Sequence, residues 1–327
     1  MKYLLFAYLI FWGSNRLYAQ DTFSIVAMDS LTGEVGSAGA SCVDMFTIPG
    51  YPDDFLGELF PGQGAINTQA YYYSVNQANA RTRMNLGDSP AEIIQWLVDN
   101  DVVGQPEMRQ YGIVKLHNGT LETAAHTGSA TDDYKNHITG PNYSIQGNIL
   151  LGQEILDSME ANFLNAKGDL ACKLMAALQG ANVLGADSRC APNGTSSLFA
   201  FVKVAHTTDT FGSPSFLVSV RTHDGEGVEP IDTLQTLFDQ VKSCTDTTIG
   251  FIEQITPSIL VFPNPVTDWI TIQGMANGRV TLYNVHSRLL MTASKTCLDL
   301  SPYRPGMYFL RVTHDDGKTY TAKLVKK

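Results

Sequence analysis

Basic residues are scarce in this sequence. It has 22 lysines and arginines against 32 aspartates and glutamates, a formal charge of -10. This charge argues against a nucleic-acid partner, because neutralising phosphates requires a basic face and none is visible. The sequence also lacks a phosphate-binding loop, a dinucleotide-binding turn, a CxxC pair and a His/Cys cluster with zinc spacing. It therefore predicts neither a cofactor nor a metal site. After the first twenty residues, no stretch is long and apolar enough to cross a membrane.

The first twenty residues combine a basic start with a short apolar run. Lys2 precedes the run at 3–12, and a small residue, Ala19, stands before the polar Gln20. This pattern predicts a secretory signal peptide over residues 1–19 that is cleaved after Ala19. The alternative, an uncleaved anchor, is disfavoured because the run is too short to span a bilayer as a helix. The mature chain is expected to begin at Gln20 and to fold outside the cytoplasm.

Export permits disulfides, and the chain has five cysteines. This odd number leaves at least one thiol free or paired between chains. A bridge between Cys172 and Cys190 is one expectation, across the loop that follows a helix. The alternative is two separate buried thiols, which pack as small apolar side chains. Both interpretations stay open, because connectivity cannot be deduced from spacing.

The composition changes near residue 250 and divides the chain into two parts. An apolar fraction of 44% and a charged fraction of 17% are those of an ordinary globular protein, and 327 residues leave room for two domains. The last part reads as short β-forming segments separated by turns, which predicts a small β-sandwich. The expected organisation is a domain over residues 20–244, a linker over 245–257 and a β-domain over 258–327.

The first domain mixes strand and helix patterns. A hairpin over 23–27 and 35–41 has very small side chains on its second arm, which lets another element approach closely. Ser89, Pro90 and Glu92 predict a capping box at the start of a helix. The order of the segments predicts helices packed outside two stacked sheets. The other predicted elements are a strand over 64–72, a hairpin around Asn118-Gly119, helices over 152–163 and 169–179, and strands over 199–204 and 215–220.

Five segments resemble one known family in their order and spacing. They are DTFSIVA at 21–27, GAINTQA at 64–70, AHTG at 125–128, IQGNIL at 145–150 and GADSR at 185–189. Together they resemble the bacterial family catalogued as domain of unknown function 1028, over roughly residues 21–220. The resemblance implies an α+β fold of the N-terminal nucleophile hydrolase type, a four-layer αββα sandwich with two sheets between helices.

The resemblance also implies that Thr22 is a catalytic nucleophile. In such hydrolases the threonine's own α-amine is the general base, and an amine with a pKa of about 8 is partly unprotonated at neutral pH. Cleavage after Ala19 would leave Gln20 and Asp21 ahead of Thr22. Either these two residues are trimmed, or cleavage falls elsewhere, or the site works differently. Cys42 stands where many relatives carry a basic residue, so it supplies no charge that would lower the pKa of the amine.

The same motifs supply the other candidate residues. Gln69 and Asn148 are candidate catalytic residues, because side-chain amides can stabilise an oxyanion. Further candidates would bind the substrate, an amide-containing small molecule or peptide. These substrate-binding candidates are Ser41, Thr68, His126, Thr127, Gln146, Asp187 and Arg189.

Each binding candidate has a structural alternative. The polar residues at strand ends can make ordinary loop hydrogen bonds or helix caps. His126 is either a general acid or carboxylate ligand, or a structural histidine. Asp187 and Arg189 form either a clamp for a charged substrate group or a surface ion pair worth less than about 1 kcal/mol. The run Tyr71-Tyr72-Tyr73 is either an aromatic wall or, as we prefer, a buried strand with one exposed ring.

The tail carries a second resemblance. The segments FPNP at 262–265, GMY at 306–308 and KLVKK at 323–327 are similar to the C-terminal sorting domain of type IX secretion cargo, a system of the Bacteroidetes. This implies the type IX secretion machinery as a partner and a secreted or outer-membrane surface location. The alternative is an ordinary immunoglobulin-like module with no secretion role.

Three classes of function follow from these observations. The first is a secreted amidohydrolase that uses Thr22. The second is a non-catalytic binding protein of the cell surface with the same fold, and the third is a structural surface protein without a ligand. The sheet edges also leave room for pairing between copies of the chain, as a homo-oligomer.

Overall fold

The computed structural model describes residues 22–48, 50–244, 260–273, 278–284, 288–314 and 319–327. The predicted signal peptide and the predicted linker lie outside these ranges. The chain divides into two compact units, at residues 1–247 and 248–327. In the described ranges, no helix has both the length and the apolar character needed to cross a membrane.

The N-terminal unit has ten strands and five α-helices in its described part. In chain order they are β1 (Thr22–Met28), β2 (Val35–Ser41), β3 (Gly57–Phe60), β4 (Gly64–Gln69), α1 (Ser74–Leu86), α2 (Pro90–Asp99), β5 (Gln110–His117), β6 (Thr120–Thr127), β7 (Asn136–Thr139), β8 (Tyr143–Gly147), α3 (Gln153–Asn165), α4 (Leu170–Gly180), β9 (Phe199–Ala205), β10 (Phe216–Arg221) and α5 (Pro230–Val241).

The strands form two antiparallel sheets that face each other. The first has the order β10-β9-β2-β1-β8-β7, and the second has the order β3-β4-β5-β6. Strands β1 and β2 of the first sheet contact β4 of the second, while α3, α4 and α5 contact the first sheet and α1 and α2 contact the second. This is a mixed α/β unit in which helices lie outside two stacked sheets, as the order of the predicted elements indicates.

The two faces of the central strand β1 have different partners. Phe23 and Ile25 belong to the large apolar core with α3 and α4, whereas Val26 belongs to a cluster with the second sheet. This alternation is the period of two that a strand imposes on its side chains. On β2 the small residues make room for α4, because a Cβ on Gly36 would lie 2.4 Å from Leu174 Cδ1. The close approach predicted for this arm is confirmed.

The helix predictions hold where local signals are strong. Ser89 accepts a hydrogen bond from the Glu92 backbone, and the Glu92 side chain accepts from the Ser89 backbone, so the capping box of α2 is present. Helix α1 was not predicted, because its buried face includes the polar Asn76 and Gln77, which hide the apolar periodicity. The amphipathic α5 was also missed.

The strand predicted over 64–72 is too long. It ends at Gln69, because Ala70 (φ 55°) and Tyr71 (φ 42°) have left-handed backbone conformations that cannot continue a strand. The three tyrosines that follow are each half-buried. The buried strand with one exposed ring is therefore wrong for this segment.

The expected Cys172–Cys190 bridge is also wrong. Cys42 pairs with Cys190, and Cys172 pairs with Cys244. The reason is tertiary: the loop that holds Cys190 lies against the end of β2, and the chain after α5 returns to the start of α4. The remaining thiol, Cys297, is free and exposed.

The C-terminal unit consists of strands in its described part. One sheet has the order β11-β12-β15 and the other β14-β13-β16-β17, all antiparallel. Both sheets contribute to one apolar core, which contains Ile270 and Leu298 from the first and Leu282 and Leu310 from the second. The strands are β11 (Leu260–Phe262), β12 (Trp269–Gln273), β13 (Gly278–Asn284), β14 (Leu289–Ala293), β15 (Cys297–Asp299), β16 (Gly306–His314) and β17 (Thr319–Lys326).

Candidate functional site

Thr22 is the first residue of β1, which lies between β2 and β8 in the middle of the first sheet. It is fully buried and pairs with Ser41 on β2. The Thr22 N–H donates to Asn148 Oδ1 over 3.3 Å, and the Asn148 N–H donates to the Thr22 carbonyl over 3.1 Å. Asn148 therefore forms hydrogen bonds with both the nitrogen and the carbonyl oxygen of Thr22.

A buried cluster of polar side chains fills the space between the sheets next to Thr22. We name it the amide layer, and it consists of Ser24, Gln69, Gln110 and Gln146. Gln69 Nε2 donates to the Thr22 carbonyl over 3.1 Å and to Gln110 Oε1 over 2.7 Å. Ser24 Oγ donates to Gln69 Oε1 over 2.5 Å and accepts from Gln146 Nε2 over 2.6 Å. All four side chains are buried away from water, so these hydrogen bonds satisfy their polar atoms.

The amide layer leaves no room for a side chain at Gly112 on β5. A Cβ there would lie 1.8 Å from Gln146 Oε1 and 2.8 Å from Ser144 Oγ. Gln146 cannot swing aside without breaking its bond to Ser24.

We therefore expect Gly112→Ala to lower the free energy of unfolding by about 1–3 kcal/mol through overpacking. Denaturant titration measures this loss. The double variant Gly112→Ala/Gln146→Ala is expected to recover part of it, because the shortened side chain frees the space. A single variant as stable as the parent would contradict the packing described here.

The amide layer continues to a histidine at the edge of the sheet. Gln110 Nε2 donates to the Gly147 carbonyl over 2.9 Å, which fixes the orientation of its amide, and to Thr127 Oγ1 over 2.9 Å. Thr127 Oγ1 lies 2.9 Å from His137 Nδ1. A hydroxyl oxygen can accept two hydrogen bonds and donate one, so Thr127 pairs with His137 Nδ1 in either tautomer of the neutral ring.

The burial of His137 predicts how stability depends on pH. Burial, and after it the charge of His126, lower the pKa of His137 below its usual 6.5. The unfolded chain then binds the proton more tightly than the folded chain. We expect the contribution of His137 to stability to be complete above pH 6.5 and to be lost as the pH falls through the folded-state pKa.

Nitrogen-15 NMR of the histidine rings measures this pKa. In His126→Gln, which removes the second charge near the ring, the pKa of His137 is expected to rise. Thr127→Ser keeps the hydroxyl beside His137 and leaves His126 in place, so it serves as the control. A His137 that titrates above 6.5, or an unchanged titration in His126→Gln, would contradict this prediction.

The backbone beside the site adopts unfavourable conformations. Ala70 and Tyr71 follow β4 and Ile149 (φ 52°) follows β8, all with positive φ. Such conformations cost about 1–3 kcal/mol and persist only where the surroundings hold them. Here Arg109 Nη1 donates to the Tyr71 carbonyl over 2.8 Å, and Arg109 itself forms a buried ion pair with Asp101. The chain next to Gln69 is therefore held by a buried charged pair.

Asp187 and Arg189 approach the Thr22 end of β2. Arg189 binds the carboxylate of Asp187 through two nitrogens, Nε at 3.1 Å and Nη2 at 2.8 Å, and the Cys42 N–H donates to the same carboxylate over 2.8 Å. Asp187 is fully buried, so the pair is not the surface ion pair considered from the sequence. The Cys42–Cys190 disulfide joins the same two segments covalently.

Two candidates point away from Thr22. Gln69 faces the first sheet, so Thr68, its neighbour along the strand, faces the helices. Thr68 Oγ1 is buried and has no hydrogen-bond partner among the described residues. The His126 ring stacks on Tyr111, which belongs to the core under α1 and α2, and its Nε2 donates to the Pro106 carbonyl.

The structure brings together Thr22, Ser41, Gln69, Gln146 and Asn148, and it places Asp187 next to them. Three further members of the network were not found from the sequence: Ser24, Gln110 and His137. Ser24 follows Thr22 at the strand period and could have been found that way. The other two become visible only when the sheets are stacked. No group of residues suited to a metal ion occurs in the described part of the chain.

The fold and the site define a mixed α/β protein with a threonine-centred amide cluster between two antiparallel sheets. The chain belongs to the family of unknown function DUF1028, whose sequence model matches residues 22–224. A secretion system C-terminal sorting domain matches residues 260–327. This sorting domain places the protein outside the cell or on its surface, and it implies interaction with the type IX secretion machinery.

One solved structure of the same family shares the fold. A crystal structure of a DUF1028 protein from Silicibacter pomeroyi is similar with a TM-score of 0.52 and 21% identity, over 68% of this chain and 90% of that one. At this identity the likeness concerns the fold alone. The BSP domain of a biofilm-associated protein aligns with a TM-score of 0.17 and 8% identity, over 96% of this chain and 53% of that one. No curated protein matches the sequence.

Proposed function

We propose that this protein is an exported amidohydrolase of the N-terminal nucleophile type, with Thr22 as its nucleophile. The observation that carries the proposal is the contact between the Thr22 nitrogen and Asn148 Oδ1 at 3.3 Å. Once Thr22 is the first residue, its nitrogen is an amine, and Asn148 can accept one of its hydrogens. The amine lone pair is then free to take the proton of the Thr22 hydroxyl.

The proposed reaction needs few groups. The Thr22 hydroxyl oxygen attacks the amide carbonyl while its proton passes to the α-amine, and the same proton then goes to the departing amine. The resulting ester on Thr22 is hydrolysed by water. The Asn148 amide nitrogen is the donor that we assign to the oxyanion, a role worth about 3 kcal/mol.

Gln69 has a positioning role in this proposal. Its Nε2 donates to the Thr22 carbonyl and to Gln110 Oε1, so it holds the nucleophile rather than the substrate. Gln146 and Thr127 act in the same way through the amide layer and its extension to His137. We leave Thr68 and His126 out of the proposed site, because their side chains face the helices.

In this proposal, the segments at the Thr22 end of β2 bind the substrate. Ser41 is directly opposite Thr22. Arg189 is one-third exposed and is anchored by the buried carboxylate of Asp187, so its guanidinium has a fixed orientation. We propose that it binds a carboxylate of the substrate, which a planar guanidinium suits better than a lysine would.

The architecture of the proposal follows the sequence expectations. We propose that residues 20–244 form a four-layer αββα domain of the N-terminal nucleophile hydrolase type. Residues 245–257 are the proposed linker, and residues 258–327 are proposed to form an immunoglobulin-like sandwich. The packing of helices outside two sheets and the shared core of the tail strands support this division.

The mature amino terminus tests the proposal directly. The protein is purified from the medium or surface of cells that export it, its first residue is read by mass spectrometry, and it is tested against a library of amides. We expect a chain that starts at Thr22 and hydrolyses a subset of the library. Active protein that still carries Gln20 and Asp21 would refute the amine-base mechanism. A chain beginning at Gln20 that turns over no amide would favour the non-catalytic binding protein.

A further inference from the structure

A cavity lies beside the edge strand β3, apart from the amide layer. It has a volume of about 260 Å³ and is bordered by β3, β9, the start of α1 and the loop between β9 and β10. None of its lining residues belongs to the amide layer. Its walls are aromatic and its floor carries charges, so it differs in character from the Thr22 site.

Four aromatic rings form the walls. Phe55 and Tyr72 meet nearly edge to face at 5.0 Å between ring centroids, and Tyr51 packs on Phe55 at 5.4 Å. Phe211 stands on the facing loop, under the guanidinium of Arg81 at 5.2 Å. Tyr51 and Phe211 are exposed by 37% and 45%. The cavity therefore offers apolar ring faces both at its rim and inside, an arrangement that binds flat, partly apolar ligands.

The first pair of charges in the cavity is structural. Lys203 Nζ donates to Asp54 Oδ2 over 2.7 Å, to the Asp54 carbonyl over 2.9 Å and to the Gly57 carbonyl over 2.7 Å. These three bonds use all the hydrogens of an ammonium group. Burial lowers the pKa of Lys203, and Asp54 opposes the shift. Lys203 braces the floor and has no hydrogen left for a ligand.

The second pair keeps capacity for a ligand. Arg81 Nε donates to Glu58 Oε2 over 3.1 Å, and Arg81 Nη2 donates to Glu58 Oε1. A carboxylate has about four acceptor sites and a guanidinium has five donors. Glu58 lines the cavity, and the exposed side chain of Arg81 lies next to it, bonded to Glu58 and over the ring of Phe211, so that acceptor and donor groups adjoin at the rim.

We propose that this cavity binds a neutral sugar ring. The two ion pairs cancel, so the site has no net charge to attract an ion. Adjacent donor and acceptor groups suit neighbouring hydroxyls, which both donate and accept, and the aromatic faces suit the C–H face of the ring. An aromatic peptide side chain would use the walls alone. The sorting domain carries the protein out of the cell or to its surface, so the cavity is available to extracellular ligands.

The test uses the full secreted chain and a panel of neutral methyl glycosides, with binding followed by saturation-transfer NMR and calorimetry. We expect at least one glycoside to bind with a Kd of about 1 mM, as suits a small shallow site. Phe211→Ala and Glu58→Gln are each expected to weaken binding at least about tenfold, which is about 1.4 kcal/mol. Phe211 is 45% exposed on a loop, and the unfolding midpoint of Phe211→Ala is recorded to separate lost binding from lost stability.

Matched variants separate the cavity from general effects. Tyr72→Phe keeps the wall and is expected to bind like the parent, while Phe46→Ala removes an exposed ring outside the cavity and is expected to change nothing. Absence of saturable binding by every glycoside would overturn the proposal. So would tighter binding of N-acetylphenylalanine amide than of any glycoside, which would assign the cavity to peptides. Neither result depends on Thr22 or on amide hydrolysis.

Discussion

Thr22→Val is expected to abolish amide hydrolysis while leaving the fold intact. Valine has the shape of threonine without the hydroxyl, so the buried position at the start of β1 stays filled. Loss of a nucleophile lowers kcat by on the order of 10³-fold or more, because no other group can form the covalent intermediate. The measurement is turnover of the best amide from the library, with the unfolding midpoint recorded in parallel.

Thr22→Ser is the matched control. It keeps an attacking hydroxyl and the same α-amine, so it is expected to retain measurable turnover and to trap ester on the same residue. Asn148→Ala is expected to lower kcat by about 10²–10³, the effect of removing one oxyanion donor. Undiminished turnover in Thr22→Val would remove Thr22 from the mechanism, whatever the amino terminus of the mature chain.

Removal of the Cys42–Cys190 disulfide is expected to cost about 5 kcal/mol in the free energy of unfolding. The bridge joins residues 148 positions apart, and closing so long a loop removes much entropy from the unfolded chain. Denaturant titration of Cys42→Ala/Cys190→Ala under oxidising conditions measures the loss. The Cys172–Cys244 bridge closes a loop of 72 positions, so its removal is expected to cost slightly less, about 4 kcal/mol.

The free thiol provides the control for this series. Cys297 is exposed and unpaired, so Cys297→Ala is expected to change stability by less than about 0.5 kcal/mol. The first bridge has a second effect, because it holds the Asp187 loop against the Cys42 backbone. Its loss is expected to weaken recognition of carboxylate-bearing amides more than that of neutral ones. Equal stability of the Cys42→Ala/Cys190→Ala variant and the parent would contradict the pairing.

Local signals in the sequence located much of the secondary structure. The capping box at Ser89 begins α2, and the turn at Asn118-Gly119 joins β5 to β6, because both depend only on residues a few positions apart. Helix α1 escaped such reasoning, since its buried face carries Asn76 and Gln77. Asn76 Nδ2 donates to Asp101 Oδ2 over 2.6 Å, and no local sequence pattern indicates this partner.

The sequence also predicted part of the candidate site, because the family resemblance points to particular residues. Thr22, Gln69 and Asn148 were chosen from the family resemblance, and the structure brings them into contact. Gln110 was missed because it matters only as the partner of Gln69 across two paired strands. Thr68 was chosen as a neighbour of Gln69, although adjacent residues of a strand face opposite ways.

The sequence alone determined the family, the sorting tail and the elements with local start and stop signals. Only the tertiary structure decided which cysteines pair, which amides meet around Thr22 and which rings enclose a cavity. Thr22 and Asn148 are 126 positions apart, and Lys203 and Asp54 are 149 apart. Their contacts depend on strand register and on the stacking of two sheets, which arise from the packing of the whole unit and not from any short segment.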